Sequence, residues 1–111
     1  MTPALTRPLV LEAPGRVADG AGGFAEAWEA RGVVWAEVLA GTGREQGGAE
    51  VSLALTPYRI TVRAAPVGSG ARPRADERFR DGARVFRILT VAERDPGGRY
   101  LICTAREEVS G

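Results

Sequence analysis

Fifteen glycines and seven prolines spread over 111 residues constrain this chain more than any other feature. They interrupt helical periodicity and favour short strands joined by frequent turns. Between them the apolar residues alternate. Val51, Leu53 and Leu55 share one parity, and after Pro57 the parity passes to Tyr58, Ile60 and Val62, with Arg59, Thr61 and Arg63 opposite. That is the pattern of a half-buried strand. Val85 to Val91, VFRILTV, is apolar on both faces and reads as a central strand. Tyr100 to Ala105, YLICTA, is the last strand, leaving Arg106–Gly111 as a polar tail. Leu9–Leu11 reads as a short first strand closed by Pro14-Gly15, preceded by a loose tail, Met1–Pro8. Asp19-Gly20, Asp81-Gly82 and Asp95–Gly98 are turn signals.

The second strand, Phe24–Leu39, carries a break. Trp28 and Trp35 have opposite parity, and a one-residue shift moves every side chain to the other face. A bulge or bend near Gly32 brings the two tryptophans to the same face, which this reading takes to be the core. A helix over Ala25–Ala30 is the competing local possibility, because AEAWEA holds good helix formers. Arg74–Asp81 is so charged, with Phe79 its one large apolar residue, that an exposed edge strand or a contact with another chain is expected. About six strands with long loops and no convincing long helix predict an all-β chain, a small antiparallel barrel or sandwich. One domain over residues 1–111 with short flexible termini is the expected organisation. The core is expected around Trp28, Trp35, Tyr58, Ile60, Phe86 and Ile88.

Composition removes several functions. The chain has no His, the commonest general base and metal ligand, and one Cys, so the usual catalytic and zinc sites are excluded. No metal or cofactor is expected. Cys103 lies in an apolar run and reads as a buried small side chain in a protein made in the cytoplasm. No apolar run approaches the roughly 18 residues that span a bilayer, so no membrane partner is expected. The formal net charge is +1, which gives no strong whole-molecule pull toward nucleic acid. All fifteen basic residues are Arg, through GC-rich coding bias or through bidentate recognition of carboxylate and phosphate.

The segment most suited to touching something else is Gly41–Glu50. The apolar run Val33–Leu39 breaks there into Gly41, Thr42, Gly43, Arg44, Glu45, Gln46, Gly47 and Gly48. It lacks the Lys-Ser/Thr ending of a phosphate-binding loop. Its glycines let it extend, Arg44 suits a phosphate, and Glu45 and Glu50 suit an arginine of a neighbour. A plain surface hairpin loop is the other reading.

Several residues fall in a familiar order: Asp19-Gly20-Ala21-Gly22-Gly23, then Trp28, then Val34-Trp35-Ala36-Glu37-Val38, then Gly43-Arg44-Glu45. Tyr58-Arg59-Ile60-Thr61-Val62-Arg63 and Gly82 to Val85-Phe86-Arg87-Ile88 follow, with Asp95, Gly98-Arg99 and Leu101 at the end. From about Leu9 to Glu107 the chain resembles the head–tail joining (head-completion or stopper) proteins of long-tailed bacteriophages. The resemblance implies a small β-barrel that assembles as a homo-oligomeric ring, typically of six, in the neck of a phage, a prophage remnant or a phage-like gene transfer agent. The implied partners are a portal or adaptor protein above, a tail terminator or tail-tube protein below, and double-stranded DNA in the channel. It implies that Gly41–Glu50 approaches the ring axis. Arg72, Arg74, Arg78 and Arg80 are expected at subunit or neighbouring-ring contacts, with a solvated edge as the alternative. A small OB-like barrel binding single-stranded nucleic acid remains the second functional reading; it needs exposed aromatics interleaved with a basic groove.

Overall fold

The computed structural model describes residues 2–41 and 57–108. Six strands account for most of them: β1 (Arg7–Ala18), β2 (Phe24–Ala40), β3 (Pro57–Arg63), β4 (Arg78–Asp81), β5 (Arg84–Glu93) and β6 (Tyr100–Glu108). Every pairing is antiparallel, and the order β1-β2-β3-β6-β5-β4 closes on itself as a barrel. Closure gives each strand two neighbours over part of its length and so removes much of the edge that an open antiparallel sheet would expose.

Strand alternation builds the interior. Leu9 and Leu11 from β1, Ile60 and Val62 from β3, Phe79 from β4, Phe86 and Ile88 from β5, and Leu101, Cys103 and Ala105 from β6 form one buried cluster with Ala36. Each fully buried Leu, Ile or Phe contributes about 1.5–3 kcal/mol, so this cluster is the main source of stability. Tyr58 closes one side, its ring edge-on to Phe86 with centroids 5.1 Å apart.

Two bulges adjust the barrel. Leu11 pairs with Gly32 but Glu12 pairs with Ala30, so Arg31 is the extra residue of β2. Gly32 takes φ +135° there, a region that L side chains avoid. The second bulge inserts Leu89 between the pairs Ile88–Ala105 and Thr90–Thr104.

The bulge near Gly32 lies where parity places it, and Trp28 and Trp35 do share a face. That face is the outside. Inward-pointing Leu9 pairs with Val34, and Pro8 pairs with Trp35, so β2 turns Ala36 inward and leaves Trp35 56% exposed. Trp35 is therefore not a core anchor, and Trp28 is half-buried against arginines on the outer surface. Alternation fixes which residues share a face, but not which face the closing sheet selects.

Other strands also run differently from expectation. β1 continues through Pro14-Gly15 to Ala18, and β6 extends to Glu108. The expected edge strand shortens to Arg78–Asp81 and lies between β1 and β5, because Phe79 points inward while its charged neighbours find a partner outside. The N-terminal segment is held down: Pro3 is buried, and the Ala4 N–H donates to the Glu37 carboxylate at 3.0 Å.

β1 pairs with β4 only over Val10–Glu12, and β2 meets β3 only from Ala36 onward. Among the described residues, Ala13–Ala18 and Phe24–Glu29 are thus paired with each other alone. They form a two-stranded arm of about 20 Å, at roughly 3.3 Å per residue.

Candidate interaction surfaces

The outer surface carries the chemistry, and two sets of its arginines stand out. In the first, Glu12 follows inward-facing Leu11 and so points out, beside Arg78 and Arg80 of β4. Its two oxygens accept from Arg78 Nε at 2.7 Å and Arg80 Nε at 2.8 Å. The Glu12 side chain is only 7% exposed. Burial pushes its carboxyl up, but the hydrogen bonds from Arg80 and Arg78 outweigh this and hold it below the ordinary carboxylate value. The Arg78 guanidinium also stacks on Trp28, 4.1 Å from the ring centroid, with Arg87 at 5.2 Å.

Further pairs tie down other arginines. Arg84 holds Glu107 through Nε and Nη2 at 2.8 and 3.0 Å, the bidentate geometry that suits a guanidinium. Arg7 pairs with Asp81, and Arg87 with Glu108. These contacts lock strands together around the barrel.

The second set is Arg31, Arg72 and Arg74, which make no ion pair within 4 Å with another described residue. They line a cleft of about 580 Å³ together with Glu77, Val67 and Val91. The bulge presents Arg31, whose Nη1 lies 3.6 Å from where a Cβ on Gly70 would stand. Arg72 Nη1 donates to the Ala65 carbonyl at 3.0 Å. Glu77, itself buried, accepts from the Arg74 N–H at 3.1 Å. Burial pushes the Glu77 carboxyl above its ordinary value, against the pull of the Arg74 N–H and of the Arg74 and Arg31 charges.

The arm offers a different surface. Asp19 shapes its tip by accepting the N–H groups of Ala21 and Gly23 at 2.8 and 3.1 Å, and these bonds lower its carboxyl from the ordinary value. Phe24 is 68% exposed. Glu26 and Glu29 are exposed as well, and neither is ion-paired with another described residue.

Of the residues singled out in the sequence, Ile60, Phe86 and Ile88 are buried and Tyr58 is half-buried. The four arginines separate: Arg78 and Arg80 are occupied by Glu12 within the chain, while Arg72 and Arg74 enter the cleft. Gly41 donates its N–H to the Pro57 carbonyl at 2.7 Å, so the chain leaves and re-enters the barrel at adjacent points. A Cβ on Gly41 would lie 2.8 Å from Pro57 Cγ, which reserves the position for glycine. Thr42, Gly43, Arg44, Glu45, Gln46, Gly47 and Gly48 lie outside the described residues. The sequence reading missed Glu12, Arg31 and Phe24. Glu12 had a signal, an acid within VLEA whose parity opposes Leu9 and Leu11, but its partners are 66 and 68 residues away.

The family model of the phage head completion protein matches residues 1–108. The chain belongs to that family. One similar solved structure is a chain of the virion of a native gene transfer agent particle, 55% identical, with a TM-score of 0.78. The match covers 99% of this chain and 100% of that one. Protein SF1141 from Shigella flexneri 2a, solved in solution, shares the fold at 23% identity and a TM-score of 0.68, covering 96% of each chain. No curated protein matches significantly in sequence. Membership in the head completion family makes the chain a structural component of a phage-like particle, in keeping with its all-β fold.

Proposed function

We propose that this chain is a connector subunit at the head–tail junction of a gene transfer agent or related phage-like particle. In this reading copies form a ring between the portal or adaptor and the tail, retain packaged DNA and offer the tail its platform. The observation that carries it is the family match over residues 1–108 together with 55% identity to a chain of a gene transfer agent virion. The surface supports it: a closed barrel with an arm and an arginine-lined cleft suits assembly better than chemistry. Gly41 and Pro57, hydrogen-bonded to each other beside β2 and β3, flank the segment that in this reading approaches the channel axis. Arg44 and Gln46 are its candidate DNA-facing groups.

The single-stranded nucleic acid reading gains nothing from the surface. Arg7, Arg78, Arg80, Arg84 and Arg87 are engaged with carboxylates, which takes five arginines away from any basic groove such binding would need. The test is deletion of the gene from a producing strain. Heads that fill with DNA, lose it and carry no tails are expected in electron micrographs. Tailed particles that still deliver DNA would overturn the proposal.

A further inference from the structure

We infer that the arginine cleft of one copy receives the acidic β2 side of the arm, Phe24–Glu29, of a second copy, giving a directional head-to-tail contact. This rests on the connector reading above and specifies which surfaces build the assembly. Three guanidinium groups, Arg31, Arg72 and Arg74, face one carboxyl, Glu77, so the cleft has a net charge of +2. Over Pro14–Glu29 the arm carries Arg16 against Asp19, Glu26 and Glu29, a net charge of −2.

Shape and polarity agree with the charges. Val67, 85% exposed, and Val91 give the cleft apolar ground beside its arginines. The arm supplies the matching mixture, Phe24 and Ala25 alongside Glu26 and Glu29. A concave cleft of about 580 Å³ has room for a peptide edge. Among the described residues, β2 pairs with β1 alone from Phe24 to Trp35, and a strand edge of this kind invites a neighbouring chain. Two different patches on one surface make a heterologous contact, which closes into a ring or runs on as a filament.

Cross-linking within particles tests this. Ala25 and Ala71 are exposed, and the native Cys103 is buried, its thiol pushed up to about 12 by burial, so engineered cysteines react alone. Particles carrying the double variant Ala25→Cys/Ala71→Cys, treated with a short bismaleimide, are expected to give a ladder of covalent multimers of this chain. Either single variant should give none. A second measurement uses charge: Glu26→Arg/Glu29→Arg and Arg72→Glu/Arg74→Glu should each lower tailed-particle yield about tenfold or more, and their combination should restore most of it. A chain present in particles that cross-links only within itself or to another protein, with no rescue by the combined swap, overturns the inference and spares the connector reading. Absence of the chain from particles sinks both.

Discussion

At the scale of single residues, the Glu12 cluster shows how a surface charge becomes structural. The carboxylate is held by two arginines of a strand far away in sequence, one of which, Arg78, stacks on Trp28. Removing one partner of a fully buried pair costs about 3–5 kcal/mol. The Arg80 side chain remains 40% exposed, so water recovers part of that loss, and Glu12→Gln should cost about 2 kcal/mol. For a domain of this size that lowers the melting midpoint by roughly 10 °C. The pH dependence has a definite sign. Because the folded carboxyl titrates below its unfolded value of 4.5, its contribution is present above pH 4.5 and is lost as pH falls through the folded value. Denaturant melts of wild type and Glu12→Gln should therefore differ at pH 7 and converge in acid. An equal gap at both pH values would mean that the charge is not the source.

At the scale of elements, the β2 bulge separates what was legible in the sequence from what was not. Its position was readable, since the two tryptophans have opposite parity and Gly32 lies between them. β5, read as apolar on both faces, buries Phe86 and Ile88 and leaves Leu89 45% exposed, whereas the six-strand content and the interior of β3 were readable from a period of two. The outward placement of Trp35 was not, because it depends on which side of β2 the other strands close over. β4 misled through its composition: the charged residues around Phe79 suggest an exposed edge until Glu12 is known to stand opposite. The cleft was invisible because Arg31 comes from a bulge and Arg72 and Arg74 from a loop some forty residues on. A pair of substitutions tests the bulge. Gly32 has φ +135°, and a methyl group added there would have nothing within 4 Å. Gly32→Ala therefore meets no clash, and its cost is backbone strain alone, about 1–2 kcal/mol. Gly15 in the arm has ordinary φ, and an added Cβ would lie 3.7 Å from the Ala27 carbonyl. Gly15→Ala should thus be neutral or slightly stabilising. Chemical denaturation of the two variants reads the difference, and equal midpoints would remove the argument for a strained bulge.

At the scale of the whole molecule, the barrel and the arm divide stability from assembly. The buried cluster draws on every strand of the barrel and on none of the residues from Pro14 to Glu29. A two-stranded ribbon is marginal on its own in water, so the arm borrows its order from the barrel and returns little to it. Pro14 and Trp28 are directly opposite one another, so an Asn-Gly turn can replace Gly15–Ala27 and close the shortened hairpin. The β1–β4 pairs at Val10–Glu12 survive that change, as do Trp28 and its arginine stack. The shortened chain should fold with a melting midpoint within about 5 °C of the parent, a difference of roughly 1 kcal/mol or less. Supplied in place of the parent gene, it should leave heads without tails. Normal tailed particles would show that the arm is dispensable for assembly, whereas a collapsed midpoint would make it part of the folding unit. The predicted combination, an intact barrel that no longer joins head to tail, is the one that assigns stability to the closed sheet and association to the ribbon extending from it.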